Sequence, residues 1–161
     1  NKMYIDLIAV GKVKEKFYQE AIKEYLKRLS AYHKLTIIEI EDRKDPQNDS
    51  PSSILGVLEK EGEKIQKRLA KDTYLIALAI DGEAKSSEGL AKEFLRLEGL
   101  GKTHLTFLIG GSYGLSPTLL QKCDAKLSFS KLTFPHQLMR VIFLEQLYRT
   151  SRINSGQKYH K

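Results

Sequence analysis

The chain has 161 residues, 41% of them hydrophobic, and a formal net charge of +7, which predicts one domain over residues 1–161 with a proper core. A single cysteine excludes an internal disulfide and a cysteine-rich zinc site, as expected for a protein of the reducing cytoplasm. No apolar run approaches the roughly 20 residues that span a bilayer, so no membrane association is expected.

The first half of the chain alternates apolar strands with amphipathic helices. Residues 3–11 form a short apolar run ended by glycine, which predicts a strand. Residues 14–32 carry apolar side chains at helical spacing and charges on the other face, which predicts a helix against a sheet. Residues 34–41 predict a second strand, and 42–53 a polar loop or mobile segment with two prolines. A second helical pattern covers residues 54–71.

The second half continues the alternation. Two of its strands are apolar on both faces, which is typical of parallel sheets covered by helices. Its predicted elements are strands at 73–82, 104–111 and 125–130 and helices at 86–99, 116–123 and 135–153. The whole pattern predicts an α/β fold with a mostly parallel sheet flanked by helices.

The last predicted helix is apolar around nearly its whole circumference. Such a helix must be buried on more than one side, and a small domain covers one side with its own sheet. We therefore expect a homodimer packed through this helix. The apolar residues are Leu138, Met139, Val141, Ile142, Phe143, Leu144, Leu147 and Tyr148.

Positive charge concentrates in the last quarter of the chain. Residues 126–161 carry seven Lys or Arg side chains and one acid, Glu145, so they contribute +6 to the formal charge. This asymmetry favours a polyanionic partner, with nucleic acid as the leading candidate. The alternative is a basic protein whose charge serves solubility alone.

Two segments follow predicted strands at their carboxyl ends, where ligands bind in open α/β sheets. The first, IGGSYGLS at 109–116, is neither a dinucleotide fingerprint nor a P-loop, and a plain turn is the alternative interpretation. The second, LSFSKLTFPHQLMR at 127–140, mixes small hydroxyls with apolar walls, which suits a flat heterocycle bonded by main chain. Its alternative is that Ser130 or Thr133 only caps the next helix. The two segments together favour one shared pocket.

Histidine is the expected source of acid–base chemistry. His136 lies in the first turn of the last helix beside this pocket, and His160 lies in the polar tail. His33 and His104 fall at strand starts and are expected to be structural. No pair of histidines has metal-ligand spacing, so no metal site is predicted. No G-x-S-x-G elbow is present either.

Four segments resemble the ribosomal RNA large-subunit methyltransferase H family, and the similarity runs from the first strand to the last residue. Members belong to the SPOUT class of α/β proteins, so the resemblance implies a C-terminal trefoil knot and a homodimer. It also implies methyl transfer from S-adenosylmethionine to N3 of a pseudouridine in 23S ribosomal RNA on assembled ribosomes. The segments are LIAVGKVKEKFYQEAIKEYLKRL, IGGSYGL, LSFSKLTFPHQLMRVIFLEQLYR and the terminal YHK.

Candidate functional residues follow from the implied mechanism, from the basic C-terminus and from the resemblance. A proton must leave N3 of the base, and His136, Tyr159 and His160 are candidates for this step, with no ranking among them. The candidate phosphate contacts are Arg140, Arg149, Arg152 and Lys161. The implied cofactor contacts are Leu78, Gly110, Phe129, Ser130, Lys131, Leu132, Thr133 and Phe134.

Three other functions stay open from the sequence. A non-catalytic RNA-binding module would use the basic C-terminus and have no working pocket. A nucleotide-binding enzyme would use the glycine loop to bind phosphate. The chain does not show the lysine and the acidic metal ligands that phosphoryl transfer normally requires. A small-molecule methyltransferase would leave the basic tail unexplained.

Overall fold

A computed structural model describes residues 2–42 and 50–159. Strands and helices alternate along the chain, which confirms the α/β prediction. Their bounds are β1 (Tyr4–Val10), α1 (Lys16–Leu29), β2 (Lys34–Ile40), α2 (Pro51–Lys67), β3 (Tyr74–Ala84), α3 (Ser87–Gly99), β4 (His104–Ile109), α4 (Pro117–Lys122), β5 (Ala125–Ser128) and α5 (His136–Asn154).

The five strands form one sheet in the order β2-β1-β4-β3-β5, and every pairing is parallel. The predicted parallel sheet is therefore confirmed. Because the strands run in one direction, their carboxyl ends and the loops that follow them lie along the same edge. We call this the carboxyl edge of the sheet.

The loop predicted over residues 42–53 ends earlier in the structure than the sequence suggested. Its residues 43–49 lie outside the described part of the chain, but α2 already begins at Pro51. The Ser50 hydroxyl accepts a hydrogen bond from the Ser53 N–H at 3.2 Å. A serine cap followed by proline at the first helical position starts the helix before the apolar pattern becomes visible.

The pairing of β3 with β5 contains an insertion at the carboxyl edge. Leu78 and Glu83 of β3 both lie opposite Leu127 of β5, so residues 79–82 stand outside the ladder. A Cβ on Gly82 would lie 2.7 Å from the Leu127 backbone nitrogen. Because backbone atoms cannot move aside cheaply, only glycine allows the returning segment to pack this tightly on β5.

Helices cover both faces of the sheet. On one face α1, α3 and α5 pack over a core centred on Phe107, Phe143 and Leu144. On the other face α2 and α4 bury a smaller cluster that includes Leu108 and Leu119. No helix of the described residues is long and apolar enough to cross a bilayer.

Helix α5 is buried on several sides, as its sequence predicts. It lies on the sheet and contacts both α1 and α3, and no residue from 136 to 153 is fully exposed. The chain itself thus accounts for most of the apolar circumference. Leu138, Val141 and Ile142 stay half-buried on the remaining surface.

Candidate active site

A cavity of about 370 Å³ opens at the carboxyl edge, between the ends of β3, β4 and β5 and the start of α5. This volume lies within the range of small-molecule sites in proteins. Its walls are mostly apolar, with main-chain polar groups of two loops among them. It is lined by residues 78–81, 109–115, Leu120, Leu127, Phe129, Ser130, residues 132–134, His136 and Met139.

The glycine turn after β4 forms one wall. The Gly114 N–H donates to the Gly111 carbonyl at 3.0 Å, and Gly114 has a φ of +86°, a conformation that favours glycine. A Cβ on Gly110 would lie 2.5 Å from the Gly114 carbonyl carbon. The turn therefore folds back on itself and brings its backbone against the cavity.

The hydroxyl-rich stretch after β5 forms the opposite wall. The Ser128 hydroxyl donates to the Ser130 carbonyl at 3.1 Å, and the Ser130 hydroxyl accepts from the Leu132 N–H at 2.9 Å. Helix α5 has Pro135 at its N-cap and no side-chain capping bond. The interpretation of Ser130 or Thr133 as a helix cap is therefore wrong. The Ser128 and Ser130 hydroxyls instead make hydrogen bonds within the loop that borders the cavity.

The cavity brings together seven of the eight residues implied as cofactor contacts. Lys131 is the exception, because it is exposed and does not line the cavity. The seven are Leu78, Gly110, Phe129, Ser130, Leu132, Thr133 and Phe134.

Sequence reasoning missed several lining residues. Ile80 and Asp81 belong to the insertion in β3, and Met139 reaches the cavity from one turn into α5. The rule that ligands gather at carboxyl strand ends points to the end of β3, but the insertion itself leaves no sequence signal.

The cavity mouth has a mostly apolar rim, and the cavity lining contains one carboxyl group and one imidazole. Ile80 is 52% exposed, Tyr113 43% and Leu132 70%. Asp81 is the acid and His136 the histidine of the lining. A cationic ligand would therefore meet an acid, and a polar substrate atom would meet an imidazole that can donate or accept a hydrogen bond.

The other two proton-transfer candidates lie elsewhere. The Tyr159 hydroxyl donates to a Glu145 carboxylate oxygen at 3.2 Å, and Glu145 follows His136 by nine helical residues, or roughly 13 Å along the axis. Burial, followed by the charge of Glu145, raises the pKa of Tyr159. Tyr159 is therefore remote from the cavity of its own chain. His160 lies outside the described residues.

Arg140, a candidate phosphate contact, is buried in this structure, with only 1% of it exposed. Its guanidinium donates to a Glu39 carboxylate oxygen at 2.7 Å and to the carbonyls of Val10 at 3.2 Å and Gly11 at 2.7 Å. These bonds tie α5 to the ends of β1 and β2. Arg140 holds the helix that carries His136 in place.

The other candidate cations near the C-terminus also have internal contacts. Arg149 donates to Glu145 at 2.8 Å. Arg152 donates to the Gln157 side-chain oxygen at 2.6 Å and to the Lys158 carbonyl at 3.1 Å. Their role in RNA binding stays a prediction, and Lys161 lies outside the described residues.

His33 and His104 are structural, as predicted. The Met3 N–H donates to His33 Nδ1 at 3.2 Å, and His104 Nε2 lies 2.8 Å from an Asp6 carboxylate oxygen. Both histidines stand beside strand starts, at the edge opposite the cavity. Burial lowers the pKa of His33. In the described part of the chain, no three His, Cys, Asp or Glu side chains are grouped to hold a metal ion.

A parallel sheet whose carboxyl edge folds two loops over one small cavity is an arrangement typical of α/β proteins that bind small molecules. Residues 3–160 match the family model described as "Predicted SPOUT methyltransferase". The chain is 52% identical over 159 residues to "Ribosomal RNA large subunit methyltransferase H" of Bacillus thuringiensis subsp. konkukian (strain 97-27), covering 99% of this chain and 100% of that protein. The protein of that name from Bacillus cereus (strain B4264) matches with the same identity and coverage.

The chain thus belongs to the SPOUT methyltransferase family, in its ribosomal RNA large subunit methyltransferase H branch. It is therefore an enzyme, a methyltransferase, rather than a module without a working pocket.

Two solved structures support the fold alone, since each is 12% identical to this chain. A probable methyltransferase from Bordetella pertussis Tohama I superposes with a TM-score of 0.58, covering 91% of this chain and 95% of that one. A probable methylase family protein from Haemophilus influenzae Rd KW20 superposes with a TM-score of 0.54, covering 98% of this chain and 70% of that one.

Proposed function

We propose that this protein transfers a methyl group from S-adenosylmethionine to N3 of a pseudouridine in 23S ribosomal RNA, on assembled ribosomes in the cytoplasm. The full-length identity to ribosomal RNA large subunit methyltransferase H proteins supports the RNA substrate. The observation that carries the proposal is the cavity between the Gly110 turn and the Phe129–Phe134 loop.

The cavity fits the cofactor in size and in chemistry. Its apolar walls suit the flat adenine ring, and the backbone of the two loops offers N–H and C=O groups to the ring edge. Gly110 leaves free the space that a Cβ would take. Asp81 gives the lining a negative charge near a ligand that is positively charged at sulfur. Leu78 and the loop residues 129, 130 and 132–134 would hold the cofactor.

S-adenosylmethionine supplies a methyl group already activated on its sulfonium, so the chain needs no covalent intermediate. The work of the protein is to orient the base nitrogen in line with that methyl, which contributes up to about 7–11 kcal/mol for well-placed reactants. His136 lines the cavity and would take the N3 proton or hold the base by a hydrogen bond. Tyr159 would act only in the cavity of a partner, because it lies far from its own.

We also propose the homodimer and the trefoil knot that the resemblance implies. The half-buried apolar side chains of α5 support a second copy packed on that helix, which would bring the partner's tail toward the cavity. The match to the SPOUT family model over residues 3–160 supports the knot. Sedimentation equilibrium at micromolar concentration should give the dimer mass, and a monomer there would reject the shared site.

The test uses ribosomes from cells that lack the protein. Purified protein and S-adenosylmethionine are added, the ribosomal RNA is digested, and the nucleosides are identified by mass spectrometry. We expect one new methylated pseudouridine with the methyl on N3. Methylation of another nucleoside would correct the substrate, and no methylation by protein that binds the cofactor would reject the proposal.

A further inference from the structure

The loop between β1 and α1, together with the first residue of α1, carries three exposed lysines at the carboxyl edge of the sheet, namely Lys12, Lys14 and Lys16. Strand β1 pairs with β4 up to Ala9 opposite Ile109, and β4 runs directly into the glycine turn of the cavity. The loop that leaves β1 therefore lies beside that turn.

Several hydrogen bonds fix this loop relative to the cavity. The Val13 N–H donates to a Glu39 carboxylate oxygen at 3.3 Å, and the Gln19 side-chain amide donates to the Val13 carbonyl at 2.8 Å. The Gly11 carbonyl accepts from Arg140 at 2.7 Å. Arg140 lies one turn after His136 in α5. The same arginine thus holds both the cavity-lining turn of α5 and the start of the lysine loop.

The three lysines have no charge partner in the described residues, since none of the ion pairs there includes them. Glu15 is the acid within the loop, and the Glu39 carboxylate is bonded to Arg140. The position is also unfavourable for stability. Helix α1 has no acid in its first turn, and Lys16 occupies its first position, where a cation costs about 0.3–1 kcal/mol.

We propose that Lys12, Lys14 and Lys16 bind successive phosphates of the RNA strand that flanks the target nucleotide. A row of cations held beside the cavity suits a polyanion whose one base enters the cavity, because phosphate contacts position a nucleic acid without reading its sequence. The proposal rests on the proposed function for the identity of the polyanion. It moves the principal RNA contact from the C-terminal arginines, which have internal partners, to the β1–α1 loop.

The test replaces the three lysines with glutamine in one variant, K12Q/K14Q/K16Q. This change removes one cation from the first position of α1 and two from exposed positions of the loop, so folding should not suffer. The matched control is K2Q/K71Q/K102Q, which removes the same charge from exposed lysines that precede β1, β3 and β4 at the opposite edge. Affinity for ribosomes lacking the methyl mark is measured by filter binding between 50 and 200 mM salt. Affinity for S-adenosylhomocysteine is measured by calorimetry.

We expect the loop variant to lose at least about tenfold in ribosome affinity, with a salt dependence shallower by roughly 2 to 3 in the log–log slope, since each phosphate contact contributes about 0.7–0.9. The control variant should bind ribosomes within twofold of the parent, and both variants should bind S-adenosylhomocysteine normally. Parent-like affinity and slope in the loop variant, or equal losses in both variants, would overturn the proposal.

The two proposals fail in different ways. A parent protein that binds ribosomes but transfers no methyl group rejects the proposed function, while the binding curves still decide the lysine surface. A parent protein that binds no ribosome at all rejects both.

Discussion

Substitution of Gly110 by alanine should damage the cavity more than its size suggests. The new Cβ would lie 2.5 Å from the Gly114 carbonyl carbon, whereas ordinary contacts begin near 3.4 Å. The turn must therefore open by close to 1 Å, and the atoms in the way are backbone. Overpacking of this kind costs about 1–3 kcal/mol. If that strain is relieved by opening the turn, cofactor affinity falls about 5- to 150-fold.

Calorimetric titration with S-adenosylhomocysteine measures this loss, and thermal unfolding shows whether the variant is folded. Gly56→Ala is the matched control, because Gly56 lies in α2 with nothing within 4 Å of its Cβ position. Alanine there should leave cofactor affinity unchanged and stabilise the helix by up to about 1 kcal/mol. A folded Gly110→Ala protein with parent affinity would refute the assignment of this turn to the cofactor site.

Three further predictions concern titratable groups. Asp81→Asn should weaken S-adenosylmethionine about fivefold more than S-adenosylhomocysteine in competition titrations, since loss of one charge contact near solvent is worth ~1 kcal/mol; equal losses would argue against a carboxylate near the sulfonium. Burial lowers the pKa of His33, so the unfolded chain gains a proton at higher pH than the native one, and stability should fall as pH drops below about 6.5. His33→Asn should flatten that decline in urea-unfolding midpoints, and an unchanged slope would exclude His33 as its source. Burial, with help from Asp124, raises the pKa of Cys123 to about 11, so iodoacetamide at pH 8 should react more than tenfold slower with native than with unfolded protein; equal rates would contradict the burial.

Local pattern was enough to predict the fold class. The strand predicted over 104–111 is apolar on both faces, which is typical of a parallel sheet covered by helices, and β4 is indeed buried along nearly its full length. The predicted helix at 86–99 is present as α3, and the Ser86 hydroxyl caps it by accepting from the Gly89 N–H at 3.0 Å. The cavity followed from the rule that places ligands at carboxyl strand ends, although the cofactor itself was implied by resemblance alone.

Contacts between distant segments could not be predicted from the pattern. Arg140 appeared to be part of a basic tail, yet its partners are Glu39 and carbonyls some 130 residues away. A count of charges does not distinguish a cation with an internal partner from one that faces solvent. For the same reason the sequence did not point to Lys12, Lys14 and Lys16, because their proposed role in RNA binding depends on β1 lying next to β4. The insertion that carries Asp81 depends on the register of β3 with β5, which the residues of β3 alone do not specify.

A crystal structure with S-adenosylhomocysteine bound is the most direct measurement of where the methyl donor sits. We expect the adenine and the sulfur-bearing chain to touch both the Gly110–Leu115 turn and the Phe129–Phe134 loop, with the sulfur directed toward the mouth formed by Ile80, Tyr113 and Leu132. A ligand bound at another surface, or one that contacts neither loop, would contradict the account of this protein as a methyltransferase that acts through this cavity.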